Sequence, residues 1–171
     1  VQEVLPGQAP EPAEGQEEDV VPRLRLAGAF SARLGLAALS GFLLFLANPP
    51  AGLGPLPFVA LVPLFFALSR DSAARGALLG IAFGFTYYAL TMYWLLLFGE
   101  LAWGGLALVN ACYASLFGAL AAGVGRRCRP YLSAVSLAAL WTAIEFIHGL
   151  WPLGGLTWGD VAYTQSANHL L

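Results

Sequence analysis

Lysine is missing from this 171-residue chain, and arginine supplies all eight of its positive charges. Charge of either sign is scarce. Of the ten acids and eight bases, eight residues (Glu3, Glu11, Glu14, Glu17, Glu18, Asp19, Arg23, Arg25) lie in the first 25 positions. The rest of the chain carries about one charge in fifteen residues, where soluble domains average roughly one in four. A net charge of −2 offers no basic field to a nucleic acid. Two cysteines cannot staple a small scaffold, and no Cys/His cluster has metal-ligand spacing. What is abundant is apolar: 58% of residues are hydrophobic and mean hydropathy is +0.71. A water-soluble globule is thereby excluded, and an all-α integral membrane bundle is the fold class expected.

The first 22 residues hold six acids, no base and four prolines. Too little apolar surface is present there to offset ordering entropy, so residues 1–25 read as a disordered acidic cytoplasmic tail. After it the chain divides at its charges. Residues 34–69, 76–99, 101–125 and 130–144 carry none. A bilayer core about 30 Å thick takes about 20 helical residues. Asn48-Pro49-Pro50-Ala51-Gly52 breaks the first stretch in two, because proline cannot donate inside a helix. Five spans follow, at about 27–47, 53–69, 76–98, 102–125 and 130–150, within a bundle over 26–150. The second is short and carries Pro55, Pro57 and Pro63, which predicts a kinked or partly re-entrant hairpin.

Arg23, Arg25 and Arg33 precede the first span, Arg70 and Arg75 separate the second from the third, and Arg126, Arg127 and Arg129 separate the fourth from the fifth. The alternate loops hold only Glu100 and Asp160. The positive-inside rule then places the N terminus in the cytoplasm and residues 151–171 outside, as an interfacial loop segment.

Gly76, Gly80 and Gly84 share one helix face, as do Gly118 and Ala122, and such small-residue ridges let helices approach closely in lipid. Tyr87, Tyr88, Tyr93, Trp94 and Trp103 gather toward the outer end of the third span and the start of the fourth. They suit an aromatic belt or, alternatively, the wall of a lipid-admitting cleft. Cys112 reads as a small buried apolar residue. Glu145 and His148, three residues apart, share a face near the outer end of the fifth span. A carboxylate at that depth is costly and therefore a functional candidate. Mutual pairing of the two, contact with a headgroup, and a metal ligand set are the readings open to them. Pro152, Gly154 and Gly155 end that helix, and the segment Trp151 to Gln165 alternates three aromatics with glycines and hydroxyls, the composition of an interface loop.

At this segment the sequence resembles the N-terminal membrane part of bacterial apolipoprotein N-acyltransferases. The resemblance rests on Ala139-Leu140-Trp141, Glu145-Phe146, Gly149, Leu153-Gly154-Gly155, Trp158 and Tyr163-Thr164-Gln165. Upstream, the prolines of the short second span, Leu61-Val62-Pro63-Leu64 and Tyr93-Trp94 agree with it, so that it covers roughly residues 33–171. The chain departs from the family at His148, where Arg is usual, at Thr157, where Pro precedes the Trp, and at Ala162, where Gly precedes the Tyr.

The resemblance implies transfer of an acyl chain from a membrane phospholipid to the α-amino group of the diacylglyceryl-cysteine that begins a lipoprotein. In that family the chemistry resides in a nitrilase-like domain with a Glu-Lys-Cys triad. No lysine is present here, so no catalytic residue and no metal or other cofactor is carried over. The chain is expected to stop before that domain and to be inactive alone, embedded in the bacterial cytoplasmic (inner) membrane. The resemblance assigns Trp158, Glu145 and Tyr163 to the entrance for lipid and lipoprotein. A small transporter or channel half using Glu145 and His148, and a membrane scaffold without chemistry, are the alternatives.

Overall fold

In a computed structural model the described residues are 14–69, 71–127, 130–151, 155 and 158–165, and among them all regular structure is helical. Six α-helices follow in order: α1 (Glu14–Ala47), α2 (Pro57–Ala60), α3 (Val62–Leu68), α4 (Ala73–Thr91), α5 (Glu100–Arg127) and α6 (Pro130–His148). Short 3₁₀ helices occupy Tyr93–Phe98 and Val161–Gln165. Two units are distinguished, residues 1–32 and 33–171. In the first, the helix begins at Glu14 and Ser31 Oγ donates to the Gly28 carbonyl at 2.9 Å. Helix thus extends through residues 14–25, where composition suggested disorder. Residues 1–13 lie outside the described ones.

Within the second unit, α4 and α5 form the most extensive helix pair. Their contact follows from the glycine ridge. A Cβ at Gly76 would strike the Gly118 carbonyl, one at Gly80 the Ala114 carbonyl, and one at Gly84 would lie 3.0 Å from Ala111 Cα. The pairings Gly76–Gly118 and Gly84–Ala111 make the two helices antiparallel. Gly41 brings α1 equally close to α4, where an added Cβ would meet the Phe83 carbonyl and, at 3.1 Å, the Tyr87 nitrogen. Trp141 of α6 completes the core, edge-on to Phe83 at 6.0 Å and to Phe117 at 5.0 Å.

At one end of this unit Asp71 is buried and takes a 2.7 Å bond from Arg33 Nη1, while Arg33 Nη2 donates to the Ser69 carbonyl at 2.8 Å. Ser72 caps α4 by accepting from the Arg75 amide at 3.3 Å. A buried carboxylate must be paired to be tolerated, and Arg33 supplies that pair. At the opposite end, Asn48 Nδ2 of the chain leaving α1 donates to the Leu44 carbonyl and to the Tyr87 hydroxyl of α4, both at 3.1 Å. The α1 and α4 axes therefore run parallel, and α2–α3 forms the return between them.

The expected spans shift in three places. The second is two helices meeting at Leu61, because Pro63 cannot donate to the preceding turn. The third ends at Thr91 and continues as a 3₁₀ helix, with Gly99 at φ +112° stopping it. The fifth ends at His148, and Gly149, Leu150 and Trp151 close its last turn. Among the described residues two stretches, Gly28–Ala47 and Glu100–Gly125, are long and apolar enough to cross a membrane, while Pro57–Leu68 and Leu132–His148 are apolar but shorter. Cys112, expected to be buried, is exposed on α5. It sits on the α5 face opposite Ala111 and Ala114, which meet α4. Cys128 lies outside the described residues.

Candidate functional site

The site is built where the chain beyond α6 folds back over the ends of α1, α4 and α6. Gly155 and Gly159 have φ of +93° and +96°, a conformation that favours glycine. Gly159 lies flat on two tyrosines, where a Cβ would be 3.1 Å from Tyr88 Cε1 and 3.3 Å from Tyr87 Cε1. Three bonds hold the returning segment and a fourth lies within it. The Tyr87 hydroxyl donates to the Gly159 carbonyl at 2.6 Å, and the Val161 amide donates to Glu145 Oε1 at 3.0 Å. Gln165 Nε2 donates to the Gly54 carbonyl at 2.9 Å, and the buried Thr164 hydroxyl to the Val161 carbonyl at 2.6 Å.

So held, the segment leaves Trp158 and Tyr163 half exposed, with Trp158 packed on Trp94 at 4.7 Å between ring centres. Beside them opens a cleft of about 270 Å³, lined by Asn48, Pro49, Thr91, Trp158, Gly159 and Tyr163. Its walls are largely apolar, with the Thr91 hydroxyl and the Asn48 amide as polar points. That combination suits an amphiphile, whose chain needs apolar walls and whose polar part needs a few fixed donors and acceptors.

Beneath the segment lies a buried polar row. His148 on α6 is fully enclosed and bonds through Nε2 to Asn110 Oδ1 on α5. Asn110 Nδ2 donates to the Leu106 carbonyl at 2.8 Å. His148 Nδ1 faces Asp160 Oδ1 at 3.8 Å, and its ring packs against Tyr113 at 4.8 Å and Tyr88 at 5.8 Å. Burial, aided by the negative charge of Glu145, pushes the Asp160 carboxyl up to about 6.

Of the residues expected from sequence, Trp158 and Tyr163 come together on the cleft, while Glu145 lies under the segment and serves as its anchor. Glu145 and His148 do not bond to each other: one takes the Val161 amide, the other turns to Asn110 and Asp160. The aromatic group divides as well. Tyr87 is interior rather than at an interface, Trp103 Nε1 donates to the Ala89 carbonyl at 2.8 Å, and Tyr93 is exposed. The sequence does not assign Asn48, Asn110 and Asp160 to the site. The available signal was a polar residue interrupting each apolar run. Among the described residues no group of His, Cys, Asp and Glu could hold a metal.

Fold and site together define a helical-bundle domain with long apolar helices and an amphipathic cleft closed by a pinned aromatic loop. Residues 40–171 match the family model described as the apolipoprotein N-acyltransferase N-terminal domain. The chain belongs to that family. Among proteins named apolipoprotein N-acyltransferase, it is 34% identical to that of Gloeobacter violaceus over 169 residues, covering 90% of this chain and 31% of the relative. It is 31% identical to that of Geobacter metallireducens over 139 residues (76% of this chain, 26% of the relative). The Azotobacter vinelandii protein is 33% identical over 143 residues, again 76% of this chain and 27% of the relative. The chain thus spans less than a third of the length of the curated relatives it matches.

Proposed function

We propose that this chain is the membrane-embedded platform of an apolipoprotein N-acyltransferase, and that its cleft admits the lipid part of the substrates. The acyl donor in this reading is a membrane phospholipid and the acceptor a diacylglyceryl lipoprotein. The observation that carries it is the loop from Trp158 to Gln165, pinned on α4, α6 and the turn after α1 so that Trp158 and Tyr163 face a 270 Å³ amphipathic cleft. A chain tail entering there would meet indole and tyrosine faces, while Asn48 and Thr91, whose amide and hydroxyl hydrogens are donated within the protein, would offer acceptor oxygens to a headgroup hydroxyl or ammonium.

The topology proposed is five passes (α1, the broken α2–α3, α4, α5 and α6) with the N terminus inside a bacterial inner membrane. Two features support it. The arginine-bearing end (Arg33, Asp71, Arg75) and the aromatic end (Asn48, Tyr87, Trp158) belong to opposite ends of α4. The helix pairs then alternate in direction, as successive passes must. The 171 residues contain no lysine, so a Glu-Lys-Cys triad cannot be assembled within them. This platform is proposed to work joined to catalytic residues elsewhere in the complete protein. The transporter reading needs a polar stripe through several spans; among the described residues Asn48, Asn110, His148 and Thr164 gather at the loop, while Ser40 is taken up by the Ala60 carbonyl and Asp71 by Arg33 at the opposite end.

Trp158→Ala in the complete gene product is expected to lower N-acylation of a diacylglyceryl lipopeptide by about tenfold, the worth of one aromatic contact of about 1.4 kcal/mol. Trp158→Phe should recover most of the rate. Assay with phospholipid vesicles as donor checks this, and an unchanged rate in the alanine variant would remove Trp158 from the entrance.

A further inference from the structure

The orientation of one buried amide fixes where a histidine keeps its proton. Asn110 Nδ2 donates to the Leu106 carbonyl and lies 3.8 Å from Met92 Sδ, which leaves Oδ1 toward His148. Flipping the amide would set its oxygen against the Leu106 carbonyl, two acceptors in contact. Since Asn110 Oδ1 only accepts, His148 Nε2 must carry the hydrogen. In neutral His148 the other nitrogen, Nδ1, is then a lone pair. That lone pair faces Asp160 Oδ1, itself buried and without a hydrogen bond. Two acceptors 3.8 Å apart under a pinned loop repel unless a proton lies between them.

We infer that Asn110, His148 and Asp160 form a one-proton latch that positions the Trp158 loop. With one proton on the pair, the two atoms, 3.8 Å apart and not hydrogen-bonded in the structure, draw in so that either His148 donates from Nδ1 to the carboxylate or the carboxylic acid donates to Nδ1, and the loop is held. Loss of that proton to solvent leaves neutral imidazole against carboxylate, and the loop loosens around Gly159 and Trp158. Asp160 stands two residues after Trp158 and one before Val161, whose amide Glu145 holds. Movement of Asp160 therefore moves the cleft wall.

The other ionisable groups facing the pair are Tyr87 and Tyr88 from α4, Tyr113 from α5 and Glu145 from α6. The tyrosines keep their protons throughout the range in which a histidine–carboxylate pair titrates. The Glu145 charge and burial both favour retention of the proton by Asp160, whose carboxyl rises from its ordinary value to about 6. The sign follows. The folded loop binds a proton that the unfolded chain releases near pH 4, so its anchoring weakens as pH rises from there through about 6.

The test uses the complete gene product in lipid nanodiscs. Hydrogen exchange of amides 158–165 is followed from about pH 5 to about pH 8, corrected for intrinsic exchange, beside the ring-nitrogen spectrum of His148, assigned through its sequential backbone connectivities. Protection in the wild type is expected to fall about tenfold across that range. In Asp160→Asn, whose amide donates to Nδ1 without an ionisable proton, protection should stay level. The nitrogen spectrum should show neutral His148 protonated on Nε2, a result that needs no variant at the latch. Parallel pH curves for wild type and Asp160→Asn, or a neutral His148 protonated on Nδ1, would overturn the latch. The relevance of the latch to acyl transfer rests on the function proposed above. A pH-dependent loop in a protein that transfers no acyl chain would sink that function and keep the latch, whereas active enzyme with level protection would do the reverse.

Discussion

Gly80→Leu is expected to prevent assembly of the bundle. Gly80 stands at the centre of the α4–α5 contact, where a Cβ would run into the Ala114 carbonyl and lie 2.8 Å from Ser115 Cα. The atoms in the way are backbone, so no side-chain rotation relieves the clash and the helices must separate. In lipid, helix association depends on close packing rather than on expulsion of water, so separation forfeits the contacts of Gly76, Gly84 and Gly118 together. The expected loss is at least about 3 kcal/mol, the upper range for overpacking a tight core. Gly104→Ala on α5 is the matched control. Its added methyl meets nothing within 4 Å, and helix propensity improves by about 1 kcal/mol. Denaturant unfolding in detergent, together with protease sensitivity in membranes, distinguishes the two. Equal stability of Gly80→Leu and wild type would show that the glycine ridge is not a packing surface.

Tyr87→Phe should release the loop without disturbing the bundle. The phenyl ring retains its packing on Phe83 and Tyr88, at 6.3 and 4.9 Å between ring centres, so the core keeps its volume. What disappears is the 2.6 Å bond to the Gly159 carbonyl, leaving that buried acceptor unsatisfied. Asn48 Nδ2 loses one acceptor but keeps the Leu44 carbonyl, so the carbonyl of Gly159 bears most of the cost. A stranded buried acceptor costs about 2 kcal/mol, which is about thirtyfold in the population of the loosened loop. Hydrogen exchange in residues 158–165 should rise by about that factor while the α4–α5 core stays protected. Loop exchange equal to wild type would mean that Glu145 and Gln165 hold the segment without Tyr87.

The parts of this architecture legible in sequence are those set by short spacing. The Gly76-Gly80-Gly84 face follows from the helical repeat alone, and its role survives intact in the α4–α5 contact. The aromatic and glycine content of residues 158–165 marked an interface loop, and Trp158 and Tyr163 do line one cleft. Hydropathy was less informative about helix ends, because it reports compatibility with an apolar medium and not continuity of backbone bonding. It therefore carried the third span through Met92 into a 3₁₀ segment, and merged two helices across Leu61. Long-range polar pairs were illegible for a different reason. His148 meets Asn110 across 38 residues, and Tyr87 meets Gly159 across 72. Glu145 and His148 share a face, yet Glu145 takes the Val161 amide of the returning loop and His148 bonds to Asn110 on α5.

The central claim, that this domain serves lipoprotein N-acylation, is tested most directly by the mass of a lipoprotein's N-terminal peptide. The complete gene product would be expressed in bacterial cells depleted of their own apolipoprotein N-acyltransferase, and the N-terminal lipopeptide would be weighed. The account predicts a third acyl chain, attached to the cysteine α-amino group, whose yield falls in the Trp158→Ala variant. A lipopeptide that stays diacylated with a free amine, in cells where the protein is folded and inserted, would contradict it.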